Sequence, residues 1–163
     1  MRCRRPSRTL RPDRRTHGGV DLSPMHVALA RQRCGPRVDI HQAEAVAWLD
    51  AADETYDVVL SVFGAHWFTD PELLLPAIRR KPGRDGVVIL ARASPQSGLA
   101  QPDGRWLSAP REPPARTVLR WEGEACQWAA ALIEAGFHDV SSRTVVAPSP
   151  DRVDTVLIRA RGQ

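Results

Sequence analysis

Residues 19–94 alternate between strand-like and helix-like patterns, and such alternation is typical of α/β domains. One strand pattern ends at Asp21, and Ser23 and Pro24 follow it as a helix N-cap and a first helical residue. In nucleotide-binding α/β domains an acid at such a strand end lies under a ribose, and a Gly-x-Gly turn follows the preceding strand. The eighteen residues before Gly19 contain seven arginines and no Gly-x-Gly turn. The chain therefore has the strand-end acid of a nucleotide-binding domain but lacks the Gly-x-Gly turn before it.

Further start and stop signals divide this region into helices and strands. A helix is expected from Pro24 to about Gly35, and a second helix is expected after Asp70. The nearly continuous apolar run Asp57–Val62 predicts a strand that is covered on both faces. Residues 81–86 are expected to form a turn that leads into a strand over residues 87–91. The stripes that the two helices are expected to bury are Met25, Ala28 and Leu29 in the first and Leu74, Leu75, Ala77 and Ile78 in the second.

The last third of the chain continues the α/β pattern. Residues 94–117 are rich in proline and glycine without periodicity, and we expect one long loop on the ligand side of the sheet. A helix is expected over residues 124–135, with Gly136 at its end. The apolar runs 140–147 and 155–160 predict an antiparallel, hairpin-like pair that closes the sheet.

The positive charge of the chain is confined to its first residues. The formal net charge is +4, yet residues 1–18 hold seven arginines against one aspartate, so the remainder is slightly negative. A block of like charge with few apolar residues cannot form a core, and we expect residues 1–18 to be a disordered basic tail before a domain over residues 19–163. The tail has three open explanations: a mis-start or frameshift product of GC-rich DNA, a native solvated tail, or a nucleic-acid-binding segment.

Composition excludes several classes of protein. No apolar run reaches the length of a membrane span, and no apolar segment follows the N-terminal arginines as in a secretory signal. A cytoplasmic location is the expectation. The three cysteines have no C-x-x-C spacing, and the histidines have no ligand spacing, so neither a redox pair nor a metal site is expected.

Several segments, in this order, resemble the class I S-adenosylmethionine-dependent methyltransferases: Gly19–Pro24, Gln42–Glu44, Tyr56–His66, Lys81–Gly83 with Gly86, and the helix end Glu134–Phe137. The resemblance extends from about Gly19 to Arg161 and is greatest to the bacterial branch that acts on small molecules. It implies an α/β, Rossmann-like sheet, mostly parallel, with an antiparallel C-terminal hairpin. The family opens with a strand carrying Asp-x-Gly-x-Gly-x-Gly and a following helix. This chain has neither, so it is expected to be an N-terminally truncated member.

The resemblance implies S-adenosylmethionine as the cofactor and assigns four residues to its adenosine portion. Asp21 is expected to accept hydrogen bonds from the ribose hydroxyls, the alternative being a helix N-terminal charge favoured by the dipole. Leu22 would line one face of the adenine, the alternative being a buried leucine at a strand end. Gln42 would accept a hydrogen bond from the adenine amino group, and Ala43 would offer its backbone.

The resemblance also places residues beside the transferred methyl group. Ser61 and Val62 would lie along its path, and His66 is a weak candidate for a catalytic base. The alternative for His66 is a loop histidine that is hydrogen-bonded to backbone. Three aromatic residues are candidates for a wall against an apolar acceptor, and core packing is the alternative: Trp67, Phe68 and Trp106.

Three classes of function remain open. The first is a methyltransferase acting on a small organic molecule, with activity in doubt because the glycine-rich loop is absent. The second is a non-catalytic remnant or scaffold of the same fold, and the third is a basic-tailed nucleic-acid binder; a dinucleotide-dependent oxidoreductase is weaker still. Because the missing strand would lie between the strands of Asp21 and Asp57, those strands are expected to pair directly or to recruit a second chain by self-association. No membrane partner is expected.

Overall fold

The computed structural model describes residues 18–94, 120–149 and 152–162, apart from the side chain of Arg37. The chain divides into two compact units, residues 1–42 and residues 43–163. The first unit contains β1 (Gly18–Asp21), α1 (Pro24–Cys34), a 3-10 turn (Gly35–Arg37) and β2 (Asp39–Gln42). The second unit contains α2 (Ala45–Ala51), β3 (Tyr56–Val62), α3 (Ala65–Phe68), α4 (Pro71–Arg79), β4 (Pro82–Ala93), α5 (Ala125–Glu134), β5 (His138–Val145) and β6 (Thr155–Arg161).

The first unit is a βαβ arrangement with a two-stranded sheet. Strands β1 and β2 are parallel, with Val20 opposite His41. Helix α1 begins as predicted, because the Ser23 side chain accepts a hydrogen bond from the His26 amide and a proline occupies the first turn. Gly35 ends the helix with φ +66°, a backbone conformation that favours glycine.

The stripe predicted on α1 is wrong. Met25, Ala28 and Leu29 are all exposed, and Val27 is the buried residue of this helix. Each strand of the small sheet is four residues long, so the first unit offers little apolar surface for a helix to cover. A periodic sequence pattern can show which residues share a face, but it cannot show how much surface will cover that face.

The sheet of the second unit has the order β3-β4-β6-β5. Strands β3 and β4 are parallel, whereas β6 is antiparallel to both of its neighbours. The predicted antiparallel C-terminal pair is therefore present, and it makes the sheet mixed. The predicted turn over residues 81–86 is wrong, because β4 already begins at Pro82, where it pairs with Tyr56.

The core of this unit lies between the sheet and helices α4 and α5. All four residues of the predicted α4 stripe are buried, after a helix start in which the Asp70 side chain accepts from the Glu72 amide. Trp128 and Leu132 of α5 are also fully buried. As predicted, Gly136 ends α5 with φ +88°, and the following Phe137 packs into the core.

Strand β3 is not covered on both faces, contrary to the prediction. Val58, Leu60 and Val62 lie on one face of this strand and are 51%, 60% and 51% exposed, whereas Val59 on the opposite face packs against the core. Among the described strands, β3 pairs only with β4 and β1 pairs only with β2. Direct pairing between the strands of Asp21 and Asp57 is therefore not found. An apolar run indicates a strand, but its burial depends on neighbours that the run itself does not specify.

Two short helices, α2 and α3, were not predicted. The N-cap of α2 is Glu44, whose side chain accepts a hydrogen bond of 2.8 Å from the Ala47 amide. Glutamate is not among the preferred N-cap residues, so the usual start signal is missing. Glu44 thus has a local structural role that its sequence context did not reveal.

Some predictions fall outside the described residues. These are the disordered tail, apart from Gly18 in β1, and the loop over residues 94–117 with Trp106, apart from Ser94. No helix within residues 18–94, 120–149 and 152–162 has the length and apolarity needed to cross a membrane.

The glycines at the start of β4 give a matched pair of variants. A Cβ atom on Gly86 would lie 2.8 Å from the Gly83 nitrogen and the Tyr56 carbonyl oxygen, whereas one on Gly83 would have no neighbour closer than 3.8 Å. We expect Gly86→Ala to lower the free energy of unfolding by about 1–3 kcal/mol, because backbone must move to make room. Gly83→Ala is expected to change it much less. Urea unfolding of both variants measures this, and equal losses would contradict the packing described for β4.

Candidate functional site

In the first unit, the candidate site lies where β1 ends. The Asp21 side chain is 45% exposed, and its Oδ1 accepts a hydrogen bond of 2.8 Å from the Ser23 amide. Its Oδ2 lies 3.4 Å from His26 Nδ1. The carboxylate thus lies at the N-terminus of α1, as the helix-charge interpretation expected. Each carboxylate oxygen has two lone pairs, so the same group can still accept hydrogen bonds from a ligand.

Two further predicted residues of this unit are open to solvent. Leu22 follows Asp21 and is 69% exposed, so the alternative of a buried leucine at the strand end is wrong. Gln42 is exposed at the end of β2, where it pairs in register with Asp21. Because β1 and β2 are parallel, these residues lie at the same edge of the small sheet. Ala43 is half-buried at the beginning of the second unit.

In the second unit, the structure brings together two predicted residues, Ser61 and His66. Ser61 lies near the end of β3, and its Oγ is 2.8 Å from His66 Nδ1. Phe63 and Gly64 connect β3 to α3, which begins at Ala65. The Phe63 amide donates a hydrogen bond of 2.8 Å to the Ala91 carbonyl of β4. The turn that presents Ser61 is therefore tied both to the sheet and to His66.

His66 is completely buried, and its ring packs edge-on against Trp128 at a centroid distance of 5.5 Å. Burial, assisted by the positive charge of Arg92, lowers the pKa of His66 to about 4. The ring is therefore neutral at pH 7, and its buried Nε2 has no hydrogen-bond partner among the described residues. A ring without an exposed atom cannot reach a substrate in this conformation. His66 lies in helix α3 and contacts a side chain, so neither the loop position nor the backbone hydrogen bond of the alternative is found.

Arg92, whose charge acts on His66, is a residue that sequence analysis did not single out. It is buried near the end of β4 and donates a hydrogen bond of 2.6 Å from Nη1 to the Gly123 carbonyl. Burial lowers the pKa of Arg92 below its usual value, and Glu122 and Glu124 oppose that effect. An arginine near the end of an apolar strand normally indicates that this strand end is solvated. The burial of Arg92 depends instead on the segment around Gly123, which is distant in sequence.

A family model described as a methyltransferase domain matches residues 5–90, which is more than half of the chain. The match begins inside the arginine-rich segment, whereas the resemblance in the sequence begins at about Gly19. No curated protein matches the chain.

Solved structures share the fold over most of the chain. One is a protein from Listeria monocytogenes described as an S-adenosylmethionine dependent methyltransferase, with 19% identity, a TM-score of 0.67, and coverage of 91% of this chain and 80% of that one. Another is the Burkholderia thailandensis 1,6-didemethyltoxoflavin-N1-methyltransferase with bound 1,6-didemethyltoxoflavin and S-adenosylhomocysteine, with 23% identity, a TM-score of 0.61, and coverage of 88% and 60%. A third is a glycopeptide N-methyltransferase complexed with S-adenosyl-L-methionine, with 19% identity, a TM-score of 0.63, and coverage of 88% and 70%. At these identities the likeness shows the α/β, Rossmann-like fold with its mixed sheet.

Proposed function

Since the chain belongs to the methyltransferase domain family, we propose that it is an S-adenosylmethionine-dependent methyltransferase that acts on a small organic molecule. The observation that carries the proposal is the family match, which includes the acid at the end of β1 and all of β3. Two structurally similar enzymes bind S-adenosylmethionine or S-adenosylhomocysteine, which supports the same cofactor here. One of them also holds 1,6-didemethyltoxoflavin, which supports a small-molecule acceptor.

When bound, S-adenosylmethionine supplies a methyl group on a positively charged sulfur; an acceptor lone pair takes the methyl group, the carbon–sulfur bond breaks, and S-adenosylhomocysteine leaves. The residues of the first unit fit the adenosine portion of this cofactor. Asp21 would accept from the ribose hydroxyls, exposed Leu22 would cover one face of the adenine, and the amide of Gln42 would meet its polar edge. Their exposure leaves these groups available for such contacts.

Ser61 and Val62 are proposed to lie beside the transferred methyl group, and Ala43 is proposed to offer its backbone to the adenine. His66 is proposed to act through Ser61, because its Nδ1 holds the Ser61 hydroxyl and its own atoms are buried. It is therefore a positioning residue rather than a base that contacts the acceptor. A proton released by the acceptor would go to solvent.

A non-catalytic member of the family is the second candidate, and one observation favours it. No Gly-x-Gly sequence occurs in the 163 residues, so the chain lacks the motif whose backbone normally holds the methionine portion. Transfer of a labelled methyl group from S-adenosylmethionine to a panel of small acceptors separates the two candidates. Transfer above the rate without protein supports the enzyme, and none at saturating cofactor supports the non-catalytic protein.

Self-association also remains a prediction, as does a cytoplasmic location. Strand β3 has a single partner among the described strands, and three exposed apolar side chains line one of its faces: Val58, Leu60 and Val62. Such a strand is a place where a second copy of the chain could pair or pack.

The acid at the end of β1 is expected to matter more than the neighbouring amide. A charged acceptor for two hydroxyls contributes more than one neutral hydrogen bond, so Asp21→Ala should weaken S-adenosylhomocysteine binding about tenfold or more, and Gln42→Ala by a smaller factor. Because binding is expected to be weak, the measurement is an NMR titration at millimolar ligand. Equal effects of the two variants would show that Asp21 does not hold the ribose hydroxyls.

A further inference from the structure

A cluster of aromatic rings with one arginine lies after β3, and we call it the aromatic platform: Phe63, Trp67, Phe68 and Arg120. The Trp67 ring is the centre of the platform, with centroids 5.9 Å from those of both Phe63 and Phe68. The Arg120 guanidinium carbon lies 5.0 Å from the Trp67 centroid and 5.8 Å from the Phe68 centroid. These distances are those of a cation stacked on aromatic rings.

The backbone holds the platform in place. The Trp121 amide donates a hydrogen bond of 2.9 Å to the Trp67 carbonyl, which fixes the segment carrying Arg120 against α3. Phe63 has φ +48°, a left-handed conformation that is unusual for a residue with a side chain. Such conformations persist where the surroundings enforce them, and they are concentrated at ligand sites.

The platform is not part of the core. Phe63 and Phe68 are 44% and 45% exposed, and Arg120 is exposed. The ion pairs within the described part of the chain do not include Arg120, so its charge has no acidic partner there. Exposed apolar rings beside a guanidinium that has no acidic partner among the described residues offer an apolar contact and an anion-binding group side by side.

The position of the platform links it to function. It follows the carboxyl end of β3, and in open α/β sheets ligands bind outside the carboxyl ends of the strands. We propose that the aromatic platform binds the methyl acceptor, and that this acceptor is a planar molecule carrying an anionic group. An exposed ring of the platform stacks on its plane, and Arg120 pairs with its negative charge. This inference rests on the proposed methyltransferase function and names its class of substrate.

A pair of small probes tests the proposal on the 163-residue chain. Benzoate and benzamide have nearly the same shape and differ in charge, and their binding is followed by NMR through the indole and amide signals of Trp67. We expect benzoate to bind about tenfold more tightly than benzamide at low salt, because only benzoate offers a charged acceptor to Arg120. Arg120→Gln should remove that preference. Arg143→Gln, which removes an exposed arginine of β5, is the matched control and should retain it.

Two results would overturn the proposal: equal binding of benzoate and benzamide by the unaltered chain, or a preference for benzoate that survives Arg120→Gln. Phe68→Ala is an independent test, because the loss of a stacking surface should weaken the binding of both benzoate and benzamide. Titration of the same sample with S-adenosylhomocysteine separates this proposal from the proposed function. Loss of the benzoate response alone counts against the platform, and absence of the S-adenosylhomocysteine response alone counts against the methyltransferase.

Discussion

The 163-residue chain is expected to bind S-adenosylhomocysteine at least about 100-fold more weakly than a site with a complete glycine-rich turn. The reason is the absence of Gly-x-Gly from the sequence, which removes backbone hydrogen bonds to the charged methionine portion of the ligand. Hydrogen bonds to charged groups contribute about 1.5–3 kcal/mol each, so the loss of two is sufficient for an effect of this size. Isothermal titration calorimetry measures the affinity directly.

Adenosine is the matched control ligand for this experiment. If the chain contacts only the ribose and the adenine, adenosine should bind about as tightly as S-adenosylhomocysteine, because the methionine portion then adds little. Micromolar binding of S-adenosylhomocysteine, with adenosine much weaker, would show that another segment of the chain has replaced the missing turn.

The stability of the protein is expected to fall between about pH 6.5 and about pH 4, and His66 is the cause. The folded protein holds this ring neutral because its pKa is lowered to about 4, whereas the unfolded chain takes up a proton near pH 6.5. In this window the unfolded state binds more protons, so acidification favours unfolding. The contribution of His66 is fully present above pH 7 and amounts to about 3 kcal/mol, lost as the pH approaches 4.

Urea unfolding at pH 7 and at pH 4.5 measures this dependence. His66→Asn keeps a polar group near Ser61 and removes the titrating ring, so its free energy of unfolding should change much less between the two pH values. His138→Gln, at an exposed position of β5, is the control and should behave like the unaltered protein. An identical pH dependence in all three proteins would mean that His66 is not the buried titrating group described above.

Local signals account for the elements that sequence analysis predicted correctly. Helix α4 follows from an N-cap at Asp70 and a stripe of apolar residues at helical spacing, and both are properties of a few neighbouring residues. Gly136 at the end of α5 is a similar case. The wrong predictions for β3 and α1 concern the burial of their faces instead. Each element has an apolar pattern that indicates its secondary structure. Which of its faces is covered depends on the number and length of the partner strands, and the sequence of a single segment does not contain that information.

The candidate site shows the same division. The strand-end position of Asp21 and the candidacy of Ser61 and His66 were available from local pattern and family resemblance. The hydrogen bond between Ser61 and His66 was not, because the five-residue spacing becomes a contact only through the tight turn at Phe63 and Gly64. The burial of Arg92 depends on Gly123, about thirty residues away, and no spacing rule connects the two.

We expect this chain to bind the adenosine portion of S-adenosylmethionine at the end of β1. NMR titration of the isotope-labelled chain with S-adenosylhomocysteine tests it residue by residue and remains informative when binding is weak. Millimolar ligand should shift the backbone amide signals of Asp21 and Leu22 and the side-chain amide signal of Gln42, and Asp21→Ala should suppress these shifts. Unchanged signals at all three residues, or shifts that persist in Asp21→Ala, would contradict it.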